Sequence, residues 1–331
     1  MSQPSNTASD SAWEPDRLAA RLPYLRRRAQ LTAATRAFFT ARDYVEVETP
    51  YAVPAPGEEV HLPVFALNPP GLYLNTSPEF AMKKLLAGGA GKIFQLARVW
   101  RNEPASSTHT HEFTMLEWYR PGAGMTDLMD ETERLLRAIL PPNVTWGGLT
   151  TSLATFERLT VAEAFTRYVG ADVLATADDA PALAAAAGCK LRDNETWEDL
   201  FFRLLLERIE PHIGRTQPTF LTHWPTAQAA LARRDPTDAR VAERFELYAC
   251  GLELANAFVE LTDATEQRAR FMSDRARRHE LYGPSWPLDE DFLTAVAQLP
   301  PCAGIALGFD RLVMLATGAA RITDVLWLPA H

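Results

Sequence analysis

The sequence predicts an α+β fold, an antiparallel β-sheet flanked by helices, and three observations carry that expectation. Residues 95–120 read as two strands joined by a polar loop, because Phe94, Leu96, Val99 and Trp100 precede the loop while Phe113, Met115, Leu116 and Trp118 follow it. Residues 240–261 read as a second hairpin, turning at Cys250-Gly251. Around both, apolar residues recur at helical spacing, as over 17–42, 127–140 and 264–282. With 331 residues, 47% of them hydrophobic and 23% charged, the chain has the make-up of a soluble globular protein of one large domain or two smaller ones.

Residues before Pro15 are rich in Ser, Asn, Asp and Thr, so 1–15 are expected to be a disordered tail ahead of a folded domain over 16–331. The helix over 17–42 carries Leu31, Ala34, Phe38 and Phe39 on one side, with a break expected at Pro23. Residues 44–49 alternate apolar and charged as a half-buried strand, and Pro50 ends it. Five prolines make 51–74 a loop region. At Thr76-Ser77-Pro78-Glu79 a helix opens with a hydroxyl cap, a proline and an acid in its first turn, and it stops at Gly88-Gly89. That grammar alone makes Glu79 a helix-dipole acid.

Past the central hairpin, a helix over 127–140 leads into a Pro/Gly turn. Residues 151–215 read as a helical insertion, with helices over 159–168, 180–187 and 199–209. Helices over 264–282 and 289–298 follow, then a strand, a turn and a last helix.

No run approaches the ~18 apolar residues of a membrane span, and the polar N-terminus has no signal region, so a cytoplasmic location is expected. Cys189, Cys250 and Cys302 are far apart and read as reduced thiols, not a disulfide framework or zinc site. A net charge of −9 and a pI near 5.4 argue against extended nucleic-acid binding. Arg21 and Arg26-Arg27-Arg28 read as a solvated helix face.

The central hairpin carries Arg98, Arg101, Glu103, His109, His111, Glu112 and Glu117 among its apolar residues. Such charges are either cross-strand pairs on a solvated face or groups matched by a ligand. In the second hairpin, a turn at Cys250-Gly251 pairs Tyr248 with Glu253 and leaves Glu246 one diagonal step away, about 7–8 Å between backbones. Two carboxylates so placed repel unless a cation lies between them, for which magnesium held with ATP phosphates is one source; an exposed acidic edge is the other reading.

Three segments resemble the motifs of class II aminoacyl-tRNA synthetases, in their order and over nearly the whole chain. Residues 38–50 (FFTARDYVEVETP) are similar to the dimer-forming motif 1, and Arg101-Asn102-Glu103 with His109, Glu112-Phe113-Thr114-Met115 and Glu117-Trp118-Tyr119 to motif 2 in its lysyl form. Residues 304–311 (GIALGFDR) are similar to motif 3. The stretches TSPEF, EFTMLEWYRP, RVAERFE, ELAN and LGFDRLVML resemble more closely still the elongation factor P lysine ligase family (GenX/PoxA), short paralogues of lysyl-tRNA synthetase without the anticodon-binding domain.

The resemblance implies the class II catalytic fold, a homodimer, ATP and Mg2+ as cofactors, and activation of lysine or (R)-β-lysine as an adenylate for transfer to a lysine side chain of elongation factor P. Since the first core helix begins near Arg17, an anticodon-binding barrel has no room and tRNA is not the expected acceptor. By the same matching, Arg101 and Arg311 are catalytic, and Arg101, Asn102, Glu103, Thr110, Phe113, Glu246, Leu247, Gly308 and Arg311 bind ATP. Arg101 would bridge the α-phosphate and the substrate carboxylate, Glu103 and Phe113 would hold adenine, and Glu246 and Glu253 would bind the metal. Ser77, Pro78, Glu79, Tyr119, Glu253, Asn256, Glu260 and Ala306 would form the amino-acid pocket, with Glu117 a further candidate. Two acids and a phenol suit the two ammonium groups of a lysine isomer.

These types suit the chemistry. A carboxylate that attacks phosphorus is already ionised, so positioning and neutralisation of phosphate charge are what the protein must supply, and arginine forks do both. Arg311 in the first turn of a helix is opposed by the helix dipole, which an anionic partner would explain, and Gly308 is read as letting the backbone approach the nucleotide. For Tyr119 and Asn256 the reading as satisfied core polar groups remains the alternative. Thr110 stands where the family has Asn, Ala257 where Gly is usual, and Val259 where a polar residue is common; all are expected to border the pocket. Ala306 agrees with the paralogue, whose substrate is (R)-β-lysine. An adenylating ligase with another acceptor, or a regulatory relative without catalysis, are the alternative readings.

Overall fold

The computed structural model describes residues 12–68 and 70–329. In chain order the strands of its main sheet are β1 (Val45–Glu46), β2 (Ile93–Trp100), β3 (Glu112–Pro121), β4 (Glu157–Thr160), β5 (Thr219–Pro225), β6 (Val241–Ala249), β7 (Leu252–Val259) and β8 (Cys302–Gly308). They lie side by side as β1-β2-β3-β8-β7-β6-β5-β4. The six inner strands are antiparallel throughout. Both edge strands, β1 and β4, join in parallel. The sheet is therefore mixed at its rims and antiparallel where the expectation was made.

The helices are α1 (Pro15–Thr40), α2 (Glu79–Ala87), α3 (Met125–Ile139), α4 (Val161–Tyr168), α5 (Ala180–Ala186), α6 (Trp197–Leu204), α7 (Ala264–Tyr282), α8 (Glu290–Val296) and α9 (Phe309–Thr317). Alternation along the strands gives the sheet two unlike faces. Phe94, Leu116, Trp118, Phe245, Leu247, Ile305 and Leu307 point to one side and pack on Leu31, Phe38 and Phe39 of α1, Leu135 and Leu136 of α3, and Leu312 and Val313 of α9. Phe39 stacks on Phe94 at 4.8 Å and meets Trp118 at 5.1 Å. Each such side chain contributes roughly 1.5–3 kcal/mol when fully buried, so this layer holds the sheet rigid behind the opposite face.

Several expectations change. Pro23 sits inside α1 without ending it; it forfeits one backbone hydrogen bond, and the helix runs on through Leu25, Arg28, Leu31 and Thr35, all buried. Arg28 is no solvated charge: it forms a buried ion pair with Asp310 of α9 and donates to the Thr114 hydroxyl at 2.8 Å. The strand expected over 44–49 shrinks to Val45–Glu46, because its neighbour Ile93 and Phe94 offer only a two-residue parallel register.

Within 151–215, Glu157–Thr160 is strand β4, not helix, and Thr160 then caps α4 by accepting from the Glu163 N–H at 3.1 Å. Residues 205–209 form a π-turn between α6 and a short 3₁₀ segment. A second apolar cluster, including Phe165, Leu200, Phe201 and Trp224, lies between these helices and β5. Of the tail expected over 1–15, residues 1–11 lie outside the described residues, and 12–14 turn directly into α1.

Candidate active site

The face of the sheet turned away from the helical core carries the site. The strand register sets Glu246 opposite Asn256, Asn256 opposite Ala306, Ala306 opposite Glu117, and Glu117 opposite Gln95. Two residues along, Arg244 faces Phe258, Phe258 faces Gly304, and Gly304 faces Tyr119. Residues directly opposite share a face, so β3, β8, β7 and β6 present two parallel rows of site side chains. Above them lies a cavity of about 700 Å³, lined by Ser77, Glu79, Arg101, Glu103, Phe113, Tyr119, Glu253, Asn256, Ala306, Gly308 and Arg311.

One cluster is acidic. Ser77 donates to Glu117 Oε1 at 2.6 Å, and the Tyr119 hydroxyl donates to Glu117 Oε2 at 3.0 Å. Ser77 also accepts from the Glu79 N–H at 2.9 Å at the start of α2. Burial, then the nearby Glu79, pushes the Glu117 carboxyl up to about 8. Burial, then Glu117, likewise raises the Tyr119 phenol.

Behind this cluster lies a residue that the sequence reading missed. Lys83, one turn along α2 from Glu79, places its ammonium 2.5 Å from Glu79 Oε1 and 2.5 Å from Glu260 Oε2. Burial works against that charge, but Glu260 and Glu79 outweigh it and hold the lysine pKa above its usual value. Burial also raises Glu260, to about 7. Glu260 is accordingly a buried partner of Lys83 that does not itself reach the cavity. The signal was present as Glu79 and Lys83 at i, i+4, but that spacing is commonplace on solvated helices.

The second cluster surrounds Phe113. The Arg101 guanidinium lies 5.4 Å from its ring centroid, the His109 ring meets it at 5.7 Å, and His109 Nε2 is 3.4 Å from Glu103 Oε2. Burial lowers the His109 pKa. Arg101 lines the cavity, and its Nε is buried without a hydrogen-bond partner among the described residues, so that donor is not used within them. Arg311 donates from Nη1 to the Glu253 carbonyl at 2.8 Å and lies 3.7 Å from that residue's Oε2.

The turn at Cys250 (φ 51°) and Gly251 (φ 72°) does pair Tyr248 with Glu253. A bulge between Leu247 and Tyr248 then moves Glu246 opposite Asn256. The cation against Glu246 is Arg244, at 2.6 Å, and Tyr248 donates to its other oxygen at 2.6 Å. Burial nevertheless raises the Glu246 carboxyl to about 7, Glu253 adding to the effect. Glu246 thus has both oxygens engaged and sits behind the cavity wall, while Glu253 lines the cavity. No cluster of three or more acidic, His or Cys side chains able to hold a metal alone occurs among the described residues. One or two carboxylates serve a magnesium ion bound chiefly through substrate phosphates, so Glu253 at the cavity, with Glu246 behind it, fits that group.

Other expected residues lie elsewhere. Asn102 is exposed on the motif 2 loop, Pro78 ends the approach to α2, Thr110 is buried beneath the loop, and the Leu247 side chain is in the helical core. Ala257 and Val259 face that same core. Strand alternation sends them away from the cavity that Asn256 and Phe258 line, so they do not border it. Gly308 has φ −67°, and a Cβ there would meet Arg311 Cδ at an ordinary 3.6 Å. Gly304 is the glycine with a steric reason, because a Cβ would fall 2.2 Å from Tyr119 Cε1 and 2.6 Å from Glu260 Oε1.

A family model for class II tRNA synthetases (D, K and N) matches residues 19–331. Relatives named elongation factor P–(R)-beta-lysine ligase are similar along almost the full chain. That of Proteus mirabilis is 43% identical, covering 96% of this chain and 98% of its own. That of Yersinia enterocolitica is 44% identical, covering 98% of each, and that of Sodalis glossinidius 45% identical, covering 96% and 98%.

Proposed function

The chain belongs to the class II tRNA synthetases (D, K and N) and to the family of its relatives named elongation factor P–(R)-beta-lysine ligase, and from that premise we propose the following reaction. The protein is an ATP-dependent ligase that activates a lysine-type amino acid and transfers it to a lysine side chain of elongation factor P. A carboxylate oxygen of the amino acid attacks the α-phosphorus, and the bond to pyrophosphate breaks. The acceptor amine then attacks the adenylate carbonyl, an amide forms, AMP leaves with the bonding pair, and the amine loses its proton.

The observation that carries this reading is the joining, over one cavity, of an arginine and aromatic cluster with a buried acidic one. Arg101 and Arg311 neutralise phosphate charge, with Phe113 stacking on adenine and Glu103 accepting from its amino group. Glu79 and Tyr119 at the cavity wall, backed by the Glu117 carboxylate that Ser77 and Tyr119 hold, receive the two ammonium groups. Glu246 and Glu253 would hold magnesium, which when bound would neutralise phosphate charge and lessen its repulsion of the carboxylate nucleophile. Ala306 stands between Asn256 and Glu117 in the sheet, where its methyl shapes the floor under the amino acid and supports (R)-β-lysine as the preferred isomer.

We read the protein as a cytoplasmic homodimer. Val45, Tyr51 and Leu85, 57%, 47% and 38% exposed, are apolar residues on and near motif 1 that a second copy would cover; light scattering that gives the mass of one chain would count against it. The reaction is tested by intact mass of elongation factor P incubated with the protein, ATP and each lysine isomer. A gain of one lysyl group supports the reading, and an unchanged mass with ongoing ATP consumption argues for another acceptor.

A further inference from the structure

We infer that Arg244 is a positioning residue that fixes which end of the Asn256 amide faces the cavity; the inference rests on the reaction proposed above. Arg244 stands on β6 with its guanidinium 4.1 Å over the Trp224 ring. Its Nε donates to Asn256 Oδ1 at 3.1 Å, its Nη2 to Glu246 Oε1 at 2.6 Å, and its Nη1 to the Gln228 carbonyl. A guanidinium offers five donors and no acceptor. The amide atom turned toward it must therefore be the oxygen.

The consequence lies on the other side of the amide. Asn256 lines the cavity, and its Nδ2 hydrogens have no partner among the described residues, so they present two donors to whatever the cavity holds. On the side of the pocket where Glu79 and Tyr119 suit ammonium groups, this donor pair is matched, alongside Arg101, to the substrate's carboxylate. Glu246 lies directly opposite Asn256. Without Arg244, that carboxylate would draw the amide nitrogen to itself and turn the carbonyl oxygen toward the substrate's own carboxylate, where it repels. One side chain thus keeps Glu246 from competing for the amide.

A carboxylate-free probe separates this role from a general loss of structure. In ATP–pyrophosphate exchange, Arg244→Met is expected to raise KM for the amino acid about 10- to 100-fold, the range for a hydrogen bond to a charged group. Inhibition by 1,5-diaminopentane, which keeps two ammonium groups and lacks the carboxylate, is expected to change less than about twofold, within the spread of a surface substitution. Equal weakening of both compounds, or no change in either, overturns the inference. Should Arg244→Met fail to fold, Arg244→Lys and Arg244→Gln serve instead. Lysine has donors only and is expected to keep the wild-type ratio of amino-acid KM to diamine inhibition constant, whereas glutamine, able to donate or accept, is expected to raise it; equal ratios overturn the inference. Wild-type protein with no exchange for any lysine isomer overturns the functional reading and this inference with it.

Discussion

The Lys83 ammonium and the Glu260 carboxylate lie 2.5 Å apart with side chains 3% and 0% exposed, and Glu79 at the mouth of the acidic cluster shares the same ammonium. Lys83→Met removes the cation and leaves Glu260 buried without a counter-charge, which costs about 3–5 kcal/mol. The Glu260 carboxyl is already raised to about 7 by burial. It takes a proton more readily in the folded than in the unfolded chain, so folding is disfavoured as pH rises through that window. Loss of Lys83 raises it further. The melting deficit of Lys83→Met is expected to be small near pH ~5 and full above pH ~8; a deficit independent of pH would contradict the pairing.

Glu117, with its carboxyl pushed up to about 8, is largely protonated at neutral pH in the empty site, and a cationic amino acid requires it ionised. KM for the amino acid is expected to fall as pH rises toward ~8, by up to about tenfold per unit, and then to level. Glu117→Gln should raise KM and flatten that dependence. An unaltered slope in the variant would assign the titration to another group.

Arg311→Ala is expected to lower kcat/KM for pyrophosphate exchange by roughly 10²–10³, the scale of one lost charge-stabilising donor. Among the described residues its hydrogen bonds and ion pairs are to the carbonyl and carboxylate of Glu253, with a long 3.4 Å bond to the Thr108 carbonyl. The melting temperature should therefore hardly move, and full exchange activity in the variant would refute a phosphate-binding role.

For the metal, Glu253→Gln is expected to shift the Mg2+ concentration for half-maximal exchange upward by about tenfold or more, on the scale of one lost ligand interaction. The titration is to be read with binding of a non-hydrolysable ATP analogue as well as with activity. An unchanged Mg2+ requirement would remove Glu253 from the metal site.

Local rules made the site's frame legible and longer-range packing hid its details. Cys250-Gly251 announces a two-residue turn, and from it the pairing of Tyr248 with Glu253 follows. The bulge at Leu247 is one residue of slack that no local pattern announces, and it decides that Glu246 faces Asn256. Strand β4 was missed because four residues paired in parallel to β5 carry no hairpin signal. Ala257 and Val259 were placed beside the pocket by proximity in sequence, although period-two alternation sends them to the opposite face. Arg28 reads as a solvated charge and Lys83 goes unremarked in the sequence because burial depends on what packs over a helix, here Asp310 and Glu260, both more than a hundred residues away.

The central claim is that the two clusters of one cavity jointly activate a diamino acid. It is tested most directly by ATP–pyrophosphate exchange across a panel of amino acids that includes α-lysine and (R)-β-lysine. The account predicts exchange with lysine isomers alone, fastest with (R)-β-lysine, and its loss in Arg101→Ala. Exchange with a monoamino acid as fast as with either isomer, or none with any, would contradict it.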